Sequence, residues 1–315
     1  YGLKMYKNLI SLFSTFILVS IMGAAAQVLP NVPEGAEALS LSGKPLFMDD
    51  PTNELIIKNL SITRNRYMDY PMVPDRVIWY GRRLGYAGDF RQAIKIFTEG
   101  ILDFPKDPKF YRHRGHRYIT IREFDRAIND LEKASALIIG KVNSIEEDGA
   151  PNAAGIPVST LHGNIFYHLG LSYYLIQDWE NAKRVYDLDH SVARNDDNRV
   201  SIAHWRYMIR RRMGDTHDEA KYVLNDIHSD MNVLENHTYY KLCLFYKGVL
   251  SEAEISEGID LEDSADAASA YGLANWYYYN DDEVKAKTMF KKMLNAKAWG
   301  SFGFIAAEAD LAAME

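Results

Sequence analysis

Apolar positions in this chain recur at helical spacing, and the helical segments come in pairs joined by short turns. From Thr52 to about Met68 one such segment carries Leu55, Ile56 and Leu60, with Thr52 or Asn53 placed to cap it. The next pair is marked by Val77, Tyr80-Gly81 and Leu84, then Ala93 and Phe97, with Gly88-Asp89 as its turn and Pro105 as its stop. The same series returns as Tyr111, Arg114-Gly115, Tyr118, Ala127 and Leu131. It returns again as Phe166, Leu169-Gly170, Tyr173, Ala182 and Tyr186, with Trp179 in the turn. Ala127 follows Ala93 by 34 positions, as Pro105 follows Pro71. Each recurring residue has a packing reason. Gly and Ala let two helices approach closely, aromatics fill the seam to the neighbouring pair, and proline ends the second helix.

The period fails once. Ala182 follows Ala127 by 55 positions, an excess of 21 that falls between about residues 140 and 160. Gly149-Ala150-Pro151 and Gly155-Ile156-Pro157 in that stretch predict a long loop, a feature that is often functional. Beyond it the pattern decays. Ala203, Tyr207, Gly214-Asp215, Ala220 and Leu224 suggest a fourth unit, and Tyr240 to Lys247 begins a fifth. Leu273-Ala274, Tyr277, Ala286 and Phe290 mark a sixth, with Asp281-Asp282 as its turn. The acidic run Asp260 to Asp266 is the candidate break, and the Ala-rich segment Phe302 to Met314 is expected to cap the end.

A 34-residue helix–turn–helix period resembles the tetratricopeptide repeat superfamily, from about Thr52 to Met314 and most specifically from Val77 to Tyr186. The resemblance implies an all-α fold, a right-handed α-solenoid of antiparallel helix pairs, with protein or peptide binding on its concave face. The motif's tryptophan position holds Val77, Tyr111 or Phe166, and the later units lack the closing proline. A narrower resemblance, to exported bacterial repeat proteins of unassigned function, rests on four blocks. They are Tyr111 to Ile119, Gly149 to Asn152 with Ile156 to Leu161, Glu235-Asn236-His237, and Tyr246-Lys247-Gly248. It adds no biochemical role.

The N-terminus reads as an address. Lys4 and Lys7 precede an apolar run from Leu9 to Met22, and Ala24-Ala25-Ala26 supplies a small-residue exit. The run is shorter than the ~20 residues a membrane-spanning helix needs. The expected organisation is a signal peptide over 1–26, an extended linker over 27–51, and the repeat domain over 52–315 with the insertion at about 140–160. The protein is therefore expected to be exported, to the periplasm or the extracellular space, with no stable membrane insertion after cleavage. A net charge of −7 gives no basic excess to draw nucleic acid. The single thiol, Cys243, precludes an intrachain disulfide and lies in an apolar helical run.

In the resembled fold the first helix of each pair lines the concave face. By position, Arg82, Arg112, His116, Tyr167, His204 and Arg211 point inward, a basic groove flanked by aromatics on an acidic protein. Arginine forks suit carboxylates and phosphates. The expected partner is a protein or peptide, an acidic one matching this groove. Against this stands pairing of the same arginines with Asp and Glu of neighbouring helices, or with Glu146-Glu147-Asp148 folded over from the insertion. No catalytic set is expected. The alternative is an enzyme or enzyme subunit that binds an anionic substrate between the groove and the insertion. His113 and His116 lack an acidic residue to complete a metal set, and no cofactor motif is present.

Overall fold

The computed structural model describes residues 29–261 and 263–315. The predicted signal peptide lies outside them. One compact unit runs from Pro33 to Glu315. Among the described residues it holds fourteen α-helices and a two-stranded hairpin, and no helix is long and apolar enough to cross a membrane.

The fold is an all-α solenoid of antiparallel helix pairs. Helix α1 (Glu54–Asp69) starts where the sequence places it, with Asn53 Oδ1 accepting from the N–H groups of Leu55 and Ile56. Full pairs follow: α2 (Pro74–Tyr86) with α3 (Phe90–Asp103), α4 (Pro108–Thr120) with α5 (Phe124–Leu137), and α6 (Leu161–Leu175) with α7 (Trp179–Val192). In each pair the packing glycine faces a bulky residue of the partner helix. A Cβ on Gly81 would stand 2.5 Å from the Phe97 ring, and one on Gly170 would stand 2.6 Å from the Tyr186 ring. The turns follow the same spacing, 34 and then 55 positions. Gly88, Arg122 and Gln177, each between the two helices of its pair, all adopt positive φ. The interior of the first pairs, from Val77 and Ile78 to Phe97 and Phe110, is apolar.

The later pairs depart from this. Helix α8 (Asp196–Arg212) is followed only by the single turn α9 (His217–Ala220) and a 3₁₀ turn at Lys221–Leu224. Helix α10 (His237–Tyr246) is followed by the equally short α11 (Glu252–Ser256). A full pair returns in α12 (Ser264–Tyr278) and α13 (Glu283–Met293). The Asp260 to Asp266 stretch joins α11 to α12 within the same compact unit and is not a break. Cys243 is fully buried with its Sγ 3.4 Å from the Val200 carbonyl oxygen, and burial pushes its thiol well above the usual range.

Two expectations are corrected at the ends. The expected extended linker over 27–51 holds an antiparallel hairpin, β1 (Ala36–Leu39) and β2 (Pro45–Phe47), whose Ala36 and Ala38 are buried. Small side chains fit against the helices where the sequence showed only the absence of a helical period. The last helix, α14 (Phe302–Ala313), packs on α12 and α13 but does more than close the end. It reaches back to α6, and its carboxylates tie distant parts together. Buried Glu308 accepts from the Leu41 N–H of the hairpin region and from Arg122 of the α4–α5 turn, at 2.8 and 2.9 Å. Asp310 pairs with Arg212 of α8 and accepts from the Tyr271 hydroxyl. Trp299 joins the same assembly, donating to the Phe47 carbonyl and meeting the Phe90 ring edge-on.

Candidate functional site

The 21-residue excess forms the lid of the site. Its ends are pinned by backbone bonds between Glu146 and Ser159 and between Leu161 and Ser144, so the loop leaves and re-enters at one place. From there it lies across the first helices of two pairs. Arg82 and Arg83, both stacked on Trp79, donate to the carbonyls of Glu147 and Gly149, each at 2.8 Å. Gly149 is the position that lets the loop touch the Tyr86 ring, because a Cβ there would fall 2.3 Å from it. The far end of the loop is held by Asn152, whose amide donates to Glu235 at 2.6 Å.

Beneath the lid, Glu146 is buried among basic groups. Its carboxylate lies 3.3 Å from Arg112 Nε and 3.0 Å from His113 Nε2, and it accepts from the Asn164 amide at 2.8 Å. Burial favours the neutral acid, but Arg112 and His113 more than offset it and hold the Glu146 carboxyl well below the usual range. Arg112 donates to His113 Nδ1 at 2.8 Å, so the neutral imidazole carries its hydrogen on Nε2, toward Glu146. Burial, with the Arg112 charge adding to it, lowers His113 to about 3.

A cavity of about 190 Å³ opens beside this cluster, lined by Arg82, Arg112, Arg117, His116 and the lid's acidic residues. Arg117 distinguishes it. Its Nη2 donates to His116 Nε2 at 2.5 Å and its guanidinium lies over the Phe90 ring, but no carboxylate pairs with it among the described residues. Burial, with no anion to counter it, lowers Arg117 to about 10. A guanidinium in that state favours an incoming anion.

The structure brings three of the six inward-facing residues, Arg82, Arg112 and His116, to this one cavity. Tyr167 lines a second cavity beyond Asn164, where its hydroxyl accepts from Trp205 and shares a hydrogen bond with Tyr239. His204 and Arg211 stand apart. His204 is buried between the Tyr239 and Tyr246 rings. Arg211 donates to the carbonyls of Asp215 and Tyr279 and to the side chain of Asn280, which ties the end of α8 to the neighbouring turns. Position on the first helix did not distinguish a residue facing open space from one facing the next helix. Arg117 and Trp79 were missed. Arg117 lies within the block Tyr111 to Ile119, and that clustering of basic residues was the available signal.

Three of the four narrower blocks meet around the site, while Tyr246-Lys247-Gly248 lies outside the linings of both cavities. Asn152 bonds Glu235, and Ser159 and Asn164 line both cavities. Residues 165–188, across α6 and α7, match the family model of the tetratricopeptide repeat, so the chain carries that repeat. Two solved structures are similar in arrangement. One is YrrB, described as a TPR protein with an unusual peptide-binding site. It is 14% identical, with a TM-score of 0.42, over 75% of this chain and 92% of that one. The other is a tetratricopeptide repeat protein from Parabacteroides merdae, 16% identical, with a TM-score of 0.46, over 76% of this chain and 86% of that one. The fold assignment rests on the helix pairs and the match over 165–188, not on these superpositions.

Proposed function

We propose that this protein is an exported binding module that takes an acidic side chain or chain terminus of a partner protein or peptide into the arginine-lined cavity. The observation that carries this reading is Arg117, a largely enclosed guanidinium without a carboxylate partner among the described residues, lining one cavity with Arg82 and Arg112. Glu146 serves as the internal example of what the cavity holds: a carboxylate gripped by Arg112, His113 and Asn164. The space accommodates one acidic side chain, while the rest of the partner lies over the lid, whose carbonyls Arg82 and Arg83 hold in place. Peptide binding by a repeat protein of similar arrangement is in keeping with this.

Fluorescence anisotropy with a labelled hexaglutamate peptide tests it. Binding is expected to weaken at least tenfold in Arg82→Gln/Arg117→Gln and to fall with added salt. Glu146→Gln is expected to strengthen it by freeing Arg112. Equal binding of hexaglutamine, or no change in the double variant, would count against the reading. Export is tested separately: N-terminal sequencing of protein from the expressing cells should find Gln27 first.

A further inference from the structure

The second cavity, of about 270 Å³, has the opposite character. It lies between α6, α7 and α8, under Phe302 of α14 and the segment that leads into α10. At its wall stands Asp189 of α7, only 3% exposed. Asp189 has no hydrogen-bond or ion-pair partner among the described residues. Other buried acids of the molecule are paired: Asp130 with Arg114, Asp310 with Arg212, Glu308 with Arg122, and Asp197 with three backbone N–H groups. An unpartnered buried carboxyl is costly, and native proteins keep few of them. Nothing opposes the burial that raises Asp189 well above the usual carboxylate range. The remaining wall is aromatic and polar, with Tyr167, Tyr239 and Phe302 as rings and Glu235 as a second carboxyl.

We propose that this cavity is a binding site for an alkylammonium group, a lysine side chain of a partner or a free amine, with Asp189 as its counter-ion and the Tyr167, Tyr239 and Phe302 rings around its methylenes. A cation supplies what Asp189 lacks, and ring faces favour a positive charge in a desolvated site. Glu235, held by Asn152 of the lid, adds a second negative charge at the wall. The cavity is independent of the arginine-lined one, although Ser159 and Asn164 separate the two and border both.

Titration calorimetry on the full chain tests this with three probes: pentane-1,5-diamine, the lysine side chain as N-acetyl-lysine methylamide, and uncharged pentane-1,5-diol. The diamine or the lysine derivative is expected to bind at least tenfold more tightly than the diol. Binding of the lysine derivative identifies a peptide side chain as the source, and binding of the diamine alone identifies a free amine. Asp189→Asn should remove at least 90% of that affinity while the variant melts at a higher temperature than the parent, because an unpaired acid has been neutralised. Glu235→Gln, which still accepts from Asn152, should weaken binding a few-fold. The site is refuted if diol and diamine bind alike, if no probe binds at millimolar concentration, or if Asp189→Asn binds amines as the parent does. A lower melting temperature for Asp189→Asn would also overturn it, since that would make Asp189 a structural acid.

Discussion

The front and rear of the solenoid are held by different means. From α2 to α7 each pair is complete, and its contacts are the ones the repeat prescribes: a glycine under an aromatic or leucine and fully buried alanines at Ala93, Ala127 and Ala182. From α8 to α11 the second helix of each pair shrinks to about a turn, and buried polar groups hold the structure instead. Asp197 accepts from the N–H groups of Leu234, Glu235 and Asn236 at 2.8–2.9 Å, organising a segment that no helix supports. Asp310, Arg212, Tyr271, Asn275 and Tyr174 form one connected network through α8, α12, α14 and α6. Close packing of small residues needs a complete helix partner. Where that partner is missing, backbone groups must find side chains, and long-range ionic links become necessary.

Substitutions can break this contrast. The largest effect is expected in the rear. Asp310→Ala leaves Arg212 buried without its anion and should cost about 3–5 kcal/mol in urea unfolding. Asp197→Ala removes the acceptor of three backbone N–H groups and should cost about 3 kcal/mol, with faster hydrogen exchange confined to residues 232–240. At the front, Gly170→Ala should cost about 2 kcal/mol through overpacking against Tyr186. If Gly170→Ala were neutral and Asp310→Ala equally so, the distinction between the two regions would fail.

Buried titratable groups sharpen the contrast through pH. His113 and His204 are lowered to about 3, chiefly by burial, and His116 and His168 are also lowered by burial. The unfolded chain therefore takes up protons below pH 6.5 that the folded chain refuses. Stability is fully present above that pH and declines as pH falls toward the folded values, by about 1.4 kcal/mol per pH unit for each histidine. Asp189 opposes them, because its raised folded value makes the folded state the better proton binder down to the unfolded carboxylate range. His204→Phe should flatten the decline between pH 6.5 and 5, and Asp189→Asn should steepen it. Denaturant midpoints measured across that range distinguish the two. Asp189→Asn should also raise stability at pH 7 by about 1 kcal/mol.

The helical repeat was legible because its signals are local and periodic. Gly81, Gly115 and Gly170 each recur at a fixed distance from a bulky partner, and the cap at Asn53 and the turn at Gly88-Asp89 lie where the sequence places them. The failure of the period between 140 and 160 was equally visible, and that stretch is the lid over the arginines. The hairpin was not legible, because a short strand pair with alanines facing inward leaves no long alternation to read. The candidate site was legible only in part. Arg82, Arg112 and His116 share a cavity, but Arg211 is tied to the carbonyls of Asp215 and Tyr279, and the helical register cannot foresee a carbonyl 68 residues away. Asp189 gave no signal at all, since an acid on the second helix of a pair reads as a solvated face.

By itself, then, the sequence determined the helix pairs, their period and the position of the insertion, all of which follow from side-chain size and backbone preference over a few turns. The tertiary structure alone decided which charges are paired. It placed Glu146 on Arg112, Glu308 on Arg122 and Asp310 on Arg212, and left Arg117 and Asp189 on neighbouring cavities without counter-ions among the described residues. Ion pairing depends on which side chains meet across long separations and on how much water is removed from them, and neither is a local property of the chain.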